Sequence, residues 1–186
     1  MNAKTSPIDQ SPEQILARRA QALAQVRQKD ADGGQVLELI SFPLGNERYA
    51  IPIDMVLEIQ PLKSWASVPC TPDFVIGAVN LRGRIYSLMD VARFLGLRPR
   101  SLSDSAHILL VHGENPHLDP TRIELCLLAD ALPQDERVHL SNLDTASSTL
   151  SSHTQEYIQG VTRDMLIVLD LKRLLASADI IVSEEI

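Results

Sequence analysis

The sequence predicts a mainly β protein, with two small barrel-like lobes preceded by one amphipathic helix. Three observations carry this. After residue 34 the apolar residues come in short runs separated by Gly, Pro, Asn and Asp, the punctuation of strands and turns. A strand–Asp–helix unit at residues 84–95 recurs at 164–175, which points to a duplicated lobe. Hydrophobic residues make up 45% of the 186 and charged ones 22%, enough apolar side chains to build a core. Short strands in lobes of this size favour barrels, because closure removes the unpaired sheet edges.

Each element has a local reason. Residues 1–10 read as a tail. Ser11 as N-cap, Pro12 at the first helical position and Gln14 closing a capping box open a helix. Ile15, Leu16, Ala20, Leu23, Ala24 and Val26 give it one apolar stripe, and Asp32-Gly33-Gly34 ends it. Residues 36–42 and 48–53 form a hairpin, with Pro52 marking a strand end that leaves the sheet. A polar, Pro-containing stretch occupies 60–72. A second hairpin, 74–81 with 84–89, turns at Arg82-Gly83, and Asp90 caps a short helix over 91–95 that Gly96 and Leu97 terminate. Residues 101–105 are the expected linker, so the lobes are drawn as 35–100 and 101–180. Strands follow at 106–112 and 122–129, then a Ser/Thr-rich loop at 141–154. A last hairpin, 157–162 with 165–169, delivers Asp170 to cap residues 171–175. The weaker echo of 50–56 in 126–132 fits the same duplication.

Charge narrows the function. The net charge is -7 and aromatics are 4%, which argues against a nucleic-acid binder with a basic face and stacking rings. Residues 35–100 carry seven basic and six acidic side chains, whereas 101–186 carry five and fourteen. A locally basic first half and an acidic second half suggest surfaces for different partners. The N-terminus has no apolar signal region and no run is long enough to span a membrane, so a cytoplasmic protein without direct membrane insertion is expected.

The search for chemistry finds little. His107, His112, His117, His139 and His153 show no metal-ligand spacing, and the chain contains no Cys-x-x-Cys or His-Glu-x-x-His pattern. Residues 77–83 lack the paired glycines of a dinucleotide site, and no serine sits in a Gly-x-Ser-x-Gly elbow. Cys70, between Pro69 and Thr71-Pro72, reads as a small hydrophobe in a loop rather than a nucleophile. Asp90 and Asp170 are explained by capping. No cofactor, no metal and no catalytic residue are expected. What remains is Asn80-Leu81-Arg82-Gly83-Arg84, which puts a guanidinium at a hairpin tip, with Glu58 as a candidate carboxylate for it.

These residues carry a resemblance. Tyr49-Ala-Ile-Pro-Ile53, Val56-Leu-Glu58-Ile59, Val68-Pro69, Pro72-Asp-Phe74, Gly77-Ala-Val-Asn80-Leu-Arg82-Gly83 and Met89-Asp90 resemble CheW-type chemotaxis coupling (adaptor) proteins in order and spacing. The second half is similar more loosely, and residues 1–34 lie outside the match. The resemblance implies two SH3-like five-stranded β-barrels and no catalysis. It implies coupling of the cytoplasmic tip of methyl-accepting chemoreceptors to the regulatory domain of a CheA-type histidine kinase, in receptor arrays at the inner membrane. It also implies protein-binding roles for Ile53, Val56, Glu58, Asn80, Arg82 and Gly83; Ile53 and Val56 serve equally well as core residues. Pro133-Gln-Asp-Glu-Arg137 interrupts the family's apolar pattern, so no contact residue is assigned in the second lobe. Two other readings stand beside this one: the same fold serving pilus-based motility or another chemosensory output, and a small β-barrel enzyme using Cys70.

Overall fold

The computed structural model describes residues 35–97, 102–144 and 155–181. The expected N-terminal helix and most of the Ser/Thr-rich loop lie outside these residues. The described chain is mainly β, with ten strands in two five-stranded sheets. The first half supplies β1 (Val36–Leu44), β2 (Glu47–Pro52), β3 (Val56–Pro61), β4 (Val75–Leu81), β5 (Arg84–Met89) and helix α1 (Val91–Phe94). The second supplies β6 (His107–Glu114), β7 (Arg122–Ala129), β8 (Gln134–His139), β9 (Ile158–Val161), β10 (Leu166–Leu169) and helix α2 (Leu171–Ala176).

The sheets do not divide near residue 100, where the sequence placed the lobe boundary. One sheet runs β8-β1-β2-β10-β9 and the other β3-β6-β7-β5-β4. Each therefore takes strands from both halves of the chain. The chain leaves the first sheet after Pro52, passes through a 3₁₀ turn at Ile53–Met55, and enters the second as β3. It returns to the first sheet as β8. Local pattern reads the halves, but which half pairs with which strand is a long-range choice that local pattern does not encode.

Two strands went unread in the sequence. Val56 and Ile59 of β3 pack against the central core while Leu57 is exposed, so its apolar residues do not alternate cleanly. In β8 only Val138 is buried, because the strand lies at a sheet edge against β1 and the rest of it faces outward. The segment read as an interruption, 133–137, is thus mostly an edge strand whose charges discourage further pairing.

The repeat is structural as well as sequential. Both units place a strand in a parallel pair, β5 with β7 and β10 with β2. Both end in an Asp whose backbone N–H donates to the residue before the neighbouring strand: Asp90 to Phe74 O at 2.7 Å, Asp170 to Tyr157 O at 2.8 Å. Asp90 Oδ1 accepts from the N–H groups of Ala92 and Arg93, and Asp170 Oδ1 from that of Arg173. Arg93 Nη1 donates to Asp73 O and Arg173 Nη1 to Glu156 O, each at 3.2 Å. The two sheets also share a closing contact. Past β3, Ala66 bridges to Ala78 of β4, and past β8, Asp144 bridges to Val161 of β9. In each case the chain beyond one edge strand of a sheet meets the other edge strand.

Three apolar clusters hold this together. The largest takes residues from both sheets and both helices, among them Ile51, Met89, Leu109, Leu127, Leu169 and Leu174. Phe94 packs its ring against Phe74 and Tyr157, with both centroids 5.2 Å away. One smaller cluster belongs to each sheet.

Asn115, fully buried in the β6–β7 turn, fastens that turn to the end of α2. Its Nδ2 donates to Leu175 O at 2.7 Å and Ser177 O at 2.9 Å, and its Oδ1 accepts from His117 N–H. Asn115→Ala strands these partners in the interior, at a cost of about 2 kcal/mol. Thermal unfolding followed by circular dichroism should show Tm lowered by about 4–8 °C.

Candidate protein-binding surface

The tip of the β4–β5 hairpin is built by its own sequence. Leu81 pairs with Arg84, leaving Arg82 and Gly83 as a two-residue turn. Both take positive φ, 53° and 85°, the conformation that such turns need to match strand twist. Asn80 stabilises it from below: its Oδ1 accepts from Gly83 N–H at 2.8 Å. Glycine at 83 adopts its positive φ without a Cβ penalty, while Arg82 takes the left-handed conformation that side chains disfavour.

Arg82 then reaches across the sheet's opening. Its Nη2 lies 2.9 Å from Glu58 Oε1 on β3, the strand at the far end of the sheet order from β4. The Arg82 side chain is 82% exposed and that of Glu58 is 24% exposed. An ion pair this wet contributes about 0–1 kcal/mol to the fold. The chain puts three residues of β3, Val56 to Glu58, opposite two of β6, Val111 and Leu110. This irregularity re-aims the strand at Glu58.

The structure thus joins Asn80, Arg82, Gly83 and Glu58. Val56 stands two residues before Glu58 on β3 and is half-buried against the central core. Ile53, in the 3₁₀ turn, is exposed on the surface, so the core alternative fits Val56 better than Ile53.

Two apolar residues that the sequence reading passed over lie beside this turn. Asn80 also lines a shallow depression of about 300 Å³ together with Trp65, Ala66, Ala78, Val79 and Ile85. Ile85 is 76% exposed and Trp65 40%. Ile85 sits on the outward side of a short strand. The lone tryptophan within a polar stretch was the available signal for Trp65. On the other face of the strand, Arg84 packs over the Tyr86 ring and pairs with Glu124. At the equivalent hairpin of the other sheet, Met165 is exposed in the place of Ile85 and Asp164 stands in the place of Arg84. The Asp164 carboxyl is held below its usual range by the Thr162 hydroxyl and then by Arg48. The two related positions thus carry opposite charges, each in an ion pair: Arg84 with Glu124 and Asp164 with Arg48.

A second, larger cleft of about 660 Å³ lies among the 3₁₀ turn, the end of β6 and α2, lined by Asp54, Met55, His112, Glu114, Lys172 and Ala176 among others. His112 Nε2 donates to Asp54 O at 3.1 Å and ties β6 to the turn.

Groups capable of covalent chemistry are spread apart. Burial and then the charge of Glu58 push the Cys126 thiol up to about 12, while Cys70 is exposed. A maleimide at neutral pH should label Cys70 alone in the native protein and Cys126 only after unfolding; labelling of both in the native state would contradict this placement. Among the described residues no group of three or more His, Cys, Asp or Glu side chains is arranged to hold a metal ion, and no helix is long and apolar enough to cross a membrane.

Comparison with known proteins supplies the deciding observation. The model of the CheW-like domain matches residues 38–179, nearly the whole described chain. The chain belongs to the CheW-like family. The chemotaxis protein CheW of Helicobacter pylori is 30% identical over 156 residues, covering 83% of this chain and 89% of that one. Protein PilI of Pseudomonas aeruginosa is 25% identical over 155 residues, covering 82% and 83%. The crystal structure of the scaffolding protein TtCheW from Thermoanaerobacter tengcongensis shares the fold, with a TM-score of 0.59 at 23% identity over 73% of this chain and 89% of that one. The CheW-like match places Ile53, Val56, Glu58, Asn80, Arg82 and Gly83 inside the family domain. Residues 1–34 fall outside it.

Proposed function

We propose that this CheW-like chain is a non-catalytic adaptor. It would couple the cytoplasmic tip of membrane chemoreceptors to the regulatory domain of a CheA-type histidine kinase in signalling arrays. The observation that carries the proposal is the Arg82–Glu58 pair, with its exposed guanidinium, at a two-residue turn beside Trp65 and Ile85. An exposed guanidinium next to uncovered apolar side chains suits protein recognition, where Trp and Arg supply anchors. The depression at Trp65 and Ile85 would take the apolar face of a receptor helix, with Arg82 on the neighbouring turn fixing its orientation. We also read each sheet as a small SH3-like barrel. The edge-to-edge bridges at Ala66–Ala78 and Asp144–Val161 support that reading. Signalling by such an adaptor needs coupling free energy between two bound partners and no bond chemistry.

Separate titrations with a receptor-tip fragment and with the kinase regulatory domain test this reading. Saturable binding to both is expected, and failure to bind either one contradicts it. The second reading keeps the adaptor and changes the output to pilus-based motility. Similarity to PilI as well as to CheW favours keeping it open, and deleting the gene would separate the two by loss of swimming or of surface twitching. An enzyme using Cys70 would instead lose turnover on labelling of that thiol.

A further inference from the structure

We infer that residues 35–97 and 102–181 are complementary halves, and that the surface each presents fits the opposite half of a second copy of this chain. The strand pairings carry this. Within the halves, the ladders are the hairpin pairs β1–β2, β4–β5, β6–β7 and β9–β10. Every pairing that assembles these into a sheet runs between halves: β1–β8, β2–β10, β3–β6 and β5–β7. The tie at the β1–β2 turn also crosses, with Gly45 N–H donating to Asp130 Oδ2 at 2.6 Å and Asp130 N–H to Pro43 O at 3.1 Å. The central cluster mixes the halves, with Phe42, Ile51 and Met89 from one meeting Leu109, Leu127 and Leu169 from the other.

A half by itself therefore exposes open strand edges and one side of the central core, which is the surface that drives strand pairing with another chain. None of these contacts depends on the covalent connection between residues 97 and 102. The opposite half of a second copy offers the same ladders, ties and core. What separates the self-closed chain from an exchanged pair is the effective concentration of the tethered half, of millimolar order for a short connection. Exchange also requires both sheets to open, so it occurs during folding and not between native molecules.

The test uses the full chain with a protease site inserted between Arg100 and Ser101. After cleavage, the fragments should co-elute at the uncleaved volume with unchanged far-ultraviolet circular dichroism, and Tm should now rise with protein concentration. Fragments that separate or lose the β signal overturn the complementarity of the halves. In a second arm, two differently tagged uncleaved chains are denatured together and refolded at about 1 and about 100 μM, well below the tethered concentration. Mixed-tag dimers should be at least about tenfold more abundant at the higher concentration, as mass action requires. Absence of mixed dimers at both concentrations overturns the fit to a second copy.

Discussion

Gly77→Ala is expected to lower stability by about 3 kcal/mol, an overpacking effect at the top of its usual range. A Cβ on Gly77 would sit 2.1 Å from Ala66 O and 2.9 Å from Ala66 C, with the Trp65 ring at 3.0 Å. The obstacle is backbone, which cannot rotate away, and that backbone is half of the bridge in which Ala66 and Ala78 exchange hydrogen bonds at 2.8 and 2.9 Å. The bridge must open or β4 must move. Thermal unfolding should show Tm lowered by about 6–12 °C. Gly160, beside the bridge of the other sheet, is a milder comparison. There a Cβ meets Asp144 O and the Leu143 side chain at 3.1 Å, so Gly160→Ala should cost about 1 kcal/mol. A Gly77→Ala variant as stable as the parent would mean that the closing bridge is not formed.

Arg82→Asp is expected to weaken binding to at least one partner by about 30-fold or more while leaving the fold intact. The Arg82 side chain is too exposed for its pair with Glu58 to hold much stability, so Tm should move by no more than about 3 °C. The substitution places two carboxylates side by side at the surface offered to the partner. Losing a desolvated ion pair and leaving its partner charge uncompensated typically costs 2–5 kcal/mol in binding, which is about 30-fold or more in Kd. The expected result is that titrations with receptor tip or kinase domain show such a loss for at least one partner. Wild-type affinity for both would remove Arg82 from the interface. Glu58→Gln, which deletes one charge without reversing any, should give a smaller loss.

The sequence exposed the parts of this molecule whose causes are local. The strand–Asp–helix units are legible because the capping Asp, the apolar strand before it and the Arg three residues after Asp90 and Asp170 sit within a dozen positions. The turn at Arg82-Gly83 is legible for the same reason. Strands β3 and β8 were not, since one carries an outward Leu57 and the other a single buried residue, Val138. The exchange of strands between halves was hidden because it depends on which edges meet at a distance. Glu58 and Arg82 were both named in advance, but their contact is made by the sheet bringing its two ends together, and 24 residues separate them. Trp65 and Ile85 entered the surface only once β4, β5 and the loop after β3 had been placed in space.

Co-sedimentation with receptor-containing membranes tests the adaptor reading most directly. With receptor, a CheA-type kinase and this chain combined, the kinase should pellet in proportion to the chain added and stay soluble when the chain is left out. A kinase that pellets equally in both cases, or in neither, would contradict a molecule whose work is to hold the two together.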